Sequence, residues 1–326
     1  MSRADGPIVV ATHGHCFDGM ASATLFAHLV GALDPTLGKS DFVYRGQSYD
    51  AGKNGVDPST FAGAREGAIL DYRFTDVPGL TWYFDHHASA FPGERERDAF
   101  AVLAGRGRGF FDAHRGSCTM LVADVARERF GVDLGRFADL MKWADIIDRA
   151  AFPSAAMAVE RAEPELQLMS VVEQLGDDRL LADLVGRLSA RPLHEVAADA
   201  DLAEKYAPIG AAHRRIVERI RAHEERRGAV VWVDLLDAPI ETVAKFVTYA
   251  DVPDAPYSVV ASRSEKRCKL SIGYNPWCPT PRAHDISKLC ERYGGGGHAV
   301  VGAVSLPLDV EAARNVALEI VEALNR

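Results

Sequence analysis

The chain has 326 residues, 48% of them hydrophobic and 25% charged, with a formal net charge of −9. That length favours two domains over one, and the balance is that of an ordinary soluble globular protein. An acidic chain lacks the broad basic face that neutralises long nucleic acid, so a phosphate-bearing substrate should be short, with positive charge local or supplied by metal ions.

The opening stretch MSRADGPIVVATHGH has neither a long apolar core nor a small-residue cleavage site and reads as no signal peptide. No apolar run is long enough to span a bilayer. PIVVATHGH is a buried strand ending near His13, and GMASATLFAHLVGAL follows with helical spacing. FVYRGQ, GAILDYRF and LTWYFDHH are further strands, each ending in charge or histidine. Strands alternating with helices predict an α/β fold, with an N-terminal, mainly parallel sheet flanked by helices. From Ser117 the apolar positions Cys118, Leu121, Val122 and Val125 predict an amphipathic helix to Phe130 with Ser117 as N-cap. RFADLMKWADIIDRAAFP is another helix, stopped by Pro153. Residues 155–227 read as mostly helical, with YAPIGAAHRRIVERIRAHEERRG a long connecting helix after Pro208.

From Gly228 a smaller C-terminal α/β unit begins. Its predicted strands are AVVWVDL, YSVVASR, CKLSIGY and HAVVGAVSL; its helices are ETVAKFVTYA, DISKLCERY and VEAARNVALEIVEALNR. The predicted division is a domain over 1–190, a helical linker over 191–227 and a domain over 228–326. Five cysteines (Cys16, Cys118, Cys268, Cys278, Cys290) are odd in number and form no CxxC pair. That predicts a reducing cytoplasm and no disulfide framework or zinc knuckle.

The unusual residues gather where the predicted strands end: His13, His15 and Asp18 after the first, Asp71 after GAIL, and Asp85-His86-His87 after LTWYF. Parallel sheets bind ligands beyond those carboxyl ends. Each residue alone could cap a loop or helix. Together they are the oxygen and imidazole ligands that a pair of divalent ions needs. KWADIIDRA places Asp145 and Asp148 on one helix face, which is either a ligand face or a plain acidic surface. GGGGH (Gly294–His298) is either a flexible loop or a nest in which backbone N–H groups approach an anion with no Cβ in the way. In SRSEKRCKLSIGYN, Arg263 at a strand end could pair bidentately with a phosphate, while Lys266 and Arg267 read as a solvated turn. No Walker loop, GxSxG elbow or HExxH occurs.

These motifs together resemble the DHH phosphoesterases, a family named for the triplet that stands here as Asp85-His86-His87. THGHCFDG resembles the family's first motif, GAILDYRF its second, FDHH its third and KWADIIDRA its fourth, while YGGGGHAVVGA resembles the signature of the associated C-terminal domain. The resemblance covers nearly the whole chain. It implies two Mn2+ ions, with Mg2+ or Co2+ as alternatives, in the N-terminal domain, and a C-terminal domain that holds substrate across a cleft. It implies Asp71 as the carboxylate bridging both metals, and Asp85, His86 and His87 as the catalytic set, with Asp85 and His86 at the metals and His87 supporting or contacting substrate. Asp145 aligns better than Asp148 with the fourth-motif ligand. Gly295, Gly296, Gly297 and His298, helped by Arg263, would bind a substrate phosphate. The first motif departs from the family: Cys16 stands where an acid is expected, which leaves open which of His13, His15 and Cys16 accompanies Asp18.

The reading that follows is a Mn2+-dependent phosphodiesterase of nano-RNase type, cleaving short oligonucleotides or linear dinucleotides to nucleoside 5′-monophosphates. A 3′-phosphoadenosine-5′-phosphate phosphatase and a cyclic dinucleotide phosphodiesterase are the alternatives within the enzyme class. From another class, Cys16 motivates a nucleotide-binding sensor on a weakened scaffold. No membrane or long duplex partner is expected, and a homodimer is left open.

Overall fold

The computed structural model describes residues 6–49, 55–240, 243–244 and 246–326. Residues 1–5 of the opening stretch, and Glu241, Thr242 and Lys245 of the predicted helix ETVAKFVTYA, lie outside the described residues. The chain divides into two compact units, Met1–Ala151 with Glu163–Ile209 and Phe152–Ala162 with Gly210–Arg326. The stretch 191–227 is thereby shared between the two units.

The first unit is built on five strands, β1 (Ile8–His13), β2 (Phe42–Gln47), β3 (Glu66–Leu70), β4 (Leu80–Asp85) and β5 (Gly109–Phe111). All pair in parallel, in the order β2-β1-β3-β4-β5. Strands covered by helices on both faces must be apolar on both, and Ile8 to Ala11, Ala68 to Leu70 and Trp82 to Phe84 are all buried. On one face Phe26, from the helix Phe17–Leu33, packs edge-on against Trp82 and Phe84. On the other, Tyr83 meets Phe74, Phe91 and Phe100. The strand order reverses direction between β1 and β3. In an open parallel sheet that switch point leaves a crevice at the carboxyl ends, where the two connections depart to opposite sides.

The second unit carries a mixed sheet of β6 (Glu224–Arg227), β7 (Val230–Leu235), β8 (Tyr257–Arg263), β9 (Arg267–Tyr274), β10 (Gly296–His298) and β11 (Val301–Pro307), in the order β10-β11-β9-β8-β7-β6. The C-terminal helix Val310–Leu324 buries Ala313, Ala317, Ile320 and Leu324 in a core with Val230, Val259 and Leu270.

Two expectations are corrected here. The long helix runs Ala200–His223, with Pro208 inside it, and stops before EERR. Those four residues form β6, an edge strand paired antiparallel to β7. A polar tetrapeptide carries no apolar period to betray a strand, and an edge strand needs only its backbone to pair. The stretch HAVVGAVSL is not one strand but the end of β10, a turn and β11. No helix among the described residues is long and apolar enough to cross a membrane.

Candidate metal centre and phosphate site

β1 ends at His13, and Gly14 N–H donates to the Gln47 carbonyl at 2.7 Å. His15 then adopts φ 56°, a left-handed turn that leaves its ring exposed, with Nδ1 3.2 Å from the Glu173 carbonyl. The helix Phe17–Leu33 begins directly afterwards, with Cys16 as its N-cap residue. Its first turn lies hard against β1 because residue 19 is glycine: a Cβ there would sit 2.4 Å from the His13 carbonyl oxygen. Thr12 Oγ1 donates to the Gly19 carbonyl at 3.0 Å and fixes that approach. His13, Cys16 and Asp18 are thus gathered at the strand end, and His15 is not.

Asp71 follows β3 with φ 54°. Aspartate tolerates this left-handed region better than most residues. Its N–H still bonds the Phe84 carbonyl at 2.9 Å, so pairing with β4 continues while the side chain is redirected. Asp85, which closes β4, is fully buried. Its Oδ1 accepts from His86 N–H at 2.8 Å and from His87 Nδ1 at 2.7 Å, and its Oδ2 accepts from the Tyr83 hydroxyl at 2.9 Å. His86 Nδ1 donates to the Arg115 carbonyl at 3.1 Å, which leaves Nε2 facing the neighbouring acids. Asp18 accepts from Cys118 N–H at 2.7 Å and Thr119 N–H at 3.0 Å, closing the N-terminus of the helix Cys118–Phe130. It therefore also does the capping that its residue type suggests.

Around His86 Nε2 stand Asp148 Oδ2 at 3.4 Å, Asp71 Oδ1 at 3.5 Å and Asp18 Oδ2 at 3.9 Å. The other Asp71 oxygen, Oδ2, lies 3.5 Å from Cys16 Sγ and 3.8 Å from His13 Nδ1. Three groups follow in which all candidate ligand atoms lie within 4.8 Å of one another: Asp71 with Asp85, His86 and His87; His13 with Cys16 and Asp71; and Asp18 with His86 and Asp148. Asp71 belongs to two of them, with its two oxygens turned to different partners.

Charges this close and this buried are strongly perturbed. Burial first, then the charge of Asp18, pushes Asp71 well above the ordinary carboxylate range. Burial likewise raises Asp18, against the pull of Thr119 and His86, and burial plus the Asp18 charge lifts Asp148 to about 6. Burial alone would depress His86, but contact with Asp71 and the charges of Asp18 and Asp148 outweigh it and hold the imidazole at about 9. The hydrogen bond that His87 donates to Asp85 raises its pKa. Burial, then Asp71 and Asp18, pushes the Cys16 thiol well up.

Asp71 Oδ1 and His86 Nε2 are buried and face each other without a hydrogen-bond partner among the described residues. Buried acids crowded around such atoms are destabilising unless positive charge compensates them. Oxygen and imidazole donors at this spacing are the set that holds divalent ions, so the residues fit a metal pair.

The helix Ala138–Asp148 brings Asp148 to this cluster, not Asp145, whose carboxylate pairs with Arg149 Nη1 at 3.1 Å. Spacing put both acids on one face; the helix phase decides between them. Asp148→Asn is expected to weaken metal binding by at least about 10- to 100-fold, the scale seen when an element of a metal site is lost. Asp145→Asn is expected to change it less than about threefold, by the same comparison. Metal titration of the two variants, read by calorimetry, checks this, and equal effects would contradict it.

In the second unit the glycine run divides by role. A Cβ at Gly295 would lie 2.2 Å from the Ala303 carbonyl, and one at Gly297 (φ 151°) 2.2 Å from the Val301 carbonyl, so both are required by the β10–β11 hairpin. Gly294 and Gly296 look onto open space, and Gly296, Gly297 and His298 are exposed. Arg263 does not join them. The register pairs Arg263 with Cys268 at one end of β9, whereas Val301 beside the run pairs with Gly273 near the other. Arg263 instead donates to the Leu236 and Asp237 carbonyls at 2.7 and 3.1 Å. The arginine at the hairpin is Arg282, whose Nη1 donates to the Ala299 carbonyl at 2.8 Å.

One further pair escaped the sequence reading. The Arg73 guanidinium lies 5.0 Å from the Tyr49 ring centroid, and that ring is 5.1 Å from His13. Arg73 Nε is buried without a hydrogen bond among the described residues, and Tyr49 is exposed. The only signal was a cation two residues beyond Asp71.

No family model matches the sequence, and no curated protein does. Solved structures do. A pGpG-specific phosphodiesterase, PggH, from Vibrio cholerae is 17% identical, with a TM-score of 0.68 over 98% of this chain and 99% of that one. The DHH domain of a member of a family of ribosomal proteins is 14% identical, with a TM-score of 0.59 over 98% and 86%. The exonuclease RecJ bound to manganese is 12% identical, with a TM-score of 0.57 over 98% and 91%. The chain has the α/β fold of these proteins over essentially its whole length.

Proposed function

We propose, on the premise of that shared fold, that this chain is a DHH-type phosphodiesterase that uses two divalent ions to hydrolyse linear dinucleotides and very short oligonucleotides to nucleoside 5′-monophosphates. The observation that carries this reading is Asp71, buried, with one oxygen turned to His86 and the other to His13 and Cys16. The full-length likeness to a pGpG-specific phosphodiesterase supports a linear dinucleotide as substrate, and the net charge of −9 argues against long strands. The scattered free cysteines fit a cytoplasmic setting.

The residues divide the work. His13, Cys16, Asp18, Asp71, His86 and Asp148 would hold the ions. Bound there, the ions would polarise the phosphoryl oxygens and make water acidic enough to attack phosphorus near neutral pH. Asp85, fixed by Tyr83 and two backbone N–H groups, orients the imidazoles and favours the protonated form of His87. His87, one third exposed, would give a proton to the leaving 3′-oxygen as the P–O bond breaks. Arg73, which makes no ion pair with a carboxylate among the described residues, would take a phosphate. The glycine run with His298 and Arg282 would bind a terminal phosphate through backbone N–H groups.

Purified protein with Mn2+ is expected to convert 5′-phosphorylated dinucleotides to mononucleotides, and to act poorly on strands of about ten nucleotides or more, by the same charge argument. Turnover of long strands alone, or of cyclic dinucleotides alone, would overturn the substrate assignment. Gly296→Ala tests the phosphate nest. Its Cβ meets no atom, so stability should stay within about 0.5 kcal/mol while KM rises. Gly297→Ala, by contrast, should destabilise by about 1–3 kcal/mol through backbone strain. Thermal melts and Michaelis curves on both variants read the difference.

A further inference from the structure

Among the five cysteines, Cys16 is set apart. Cys118, Cys268 and Cys278 point their sulfurs at backbone carbonyls, and Cys290 is buried in the second unit's core. Cys16 occupies the N-cap of the helix Phe17–Leu33, a position that helices fill with serine, threonine, aspartate or asparagine because those side chains bond the free N–H groups of the first turn. Its side chain makes no such bond. Sγ instead lies 3.5 Å from Asp71 Oδ2, in a group with His13 whose ligand atoms are all within 4.8 Å of one another. The sulfur is directed at the carboxylate.

The two sides of Asp71 are then chemically unequal. Oδ1 faces His86 Nε2, with the Asp148 and Asp18 carboxylates grouped around that nitrogen. Oδ2 faces one imidazole and one sulfur. Thiolate and imidazole suit zinc and other transition ions, whereas Mg2+ demands oxygen and keeps its waters.

We propose that Cys16 ligates metal through its thiolate, making the His13–Cys16–Asp71 position a nitrogen–sulfur–oxygen site that selects Zn2+ or Co2+ over Mg2+, beside an oxygen-and-imidazole position that takes a harder ion such as Mn2+. This rests on the two-ion reading above and adds to it that the ions differ.

Cobalt is the probe, because a sulfur–cobalt bond gives a near-ultraviolet charge-transfer band that oxygen and nitrogen ligands do not. The full chain, stripped of metal, is titrated with Co2+ while absorption and bound cobalt are followed together. The expected result is about two cobalt per chain and the charge-transfer band. In Cys16→Ser, with folding checked by circular dichroism, the band should vanish while cobalt remains at the other position. In Cys16→Asp, Zn2+ should be displaced by Mg2+ at a concentration at least about tenfold lower than in the unaltered chain, the low end of the effect of altering a metal site. Two cobalt bound without the band in the unaltered chain would overturn the thiolate assignment and leave the two-ion reading intact. A band that survives in Cys16→Ser would overturn it too, by assigning the sulfur elsewhere. No cobalt bound at all would overturn the two-ion reading itself, and this inference with it.

Discussion

Asp71→Asn is expected to lower dinucleotide turnover by at least about 10³-fold, the scale of removing a preorganised electrostatic element from an active site, and to leave no more than one metal bound per chain. Asparagine keeps the shape and tolerates the left-handed backbone, φ 54°, that the position requires. What it removes is one anionic oxygen and the charge that both groups share. Because the free carboxylate is buried among other acids, the variant should fold at least as well as the parent in the absence of metal. Metal analysis and steady-state kinetics check the first part, and thermal melts the second. Full activity in Asp71→Asn would remove the basis for the two-ion reading.

The metal-free protein should lose stability as pH rises, and divalent ions should restore it. The signs agree across the cluster. Asp148 is lifted to about 6, and Asp18 and Asp71 are raised as well. A carboxylate raised in the folded state contributes stability that is complete below its ordinary value near 4 and lost as pH climbs through the raised value. His86, held at about 9 by the same acids, contributes stability that is complete below the ordinary histidine value and lost as pH passes 9. Asp148 itself is exposed, so solvent screening cuts its own share to about 1 kcal/mol, or about 2–4 °C in Tm. Acids held low by arginine, such as Asp201 at about 2, act in the opposite direction but only below the ordinary carboxylate value. The half-buried imidazoles of His13, His28 and His213, all held low, also oppose the trend and must be separated from it. Asp148→Asn does that, since it should flatten the fall between pH 4 and 7 while leaving those histidines in place. Saturating metal at pH 7.5 should raise Tm by about 10 °C or more, given roughly 4 kcal/mol per site at a thousandfold excess over Kd. A metal-free Tm that climbs steadily from pH 5 to 9 would contradict the electrostatics described.

Much of the first unit could be read from the chain because its strands are continuous apolar runs that stop at polar residues. IVVATH, LTWYFD and the helix from Phe17 announce themselves, and the strand ends carry the acids and imidazoles. What the sequence could not display was phase and register. Asp145 and Asp148 share a helix face on paper, and only the rotation of the helix Ala138–Asp148 sends the second toward His86. His15 carries the same chemistry as His13, but a single left-handed residue turns it outward. Arg263 and the glycine run look like one anion site until the β8–β9–β11 register places them at different ends of the sheet. The strand EERR has no apolar signal at all.

The unusual backbone at position 71 also restricts how this protein could decay. Most replacements there would meet two obstacles at once, loss of a charge that the proposed metal pair would share and a torsion that β-branched and bulky side chains resist. Asparagine and glycine avoid the second. On the proposed function, a descendant that abandoned hydrolysis but kept the scaffold for binding would therefore be expected to carry one of those two residues after Leu70, and the neighbouring acids, without a cation to share, would come under pressure to turn neutral with it.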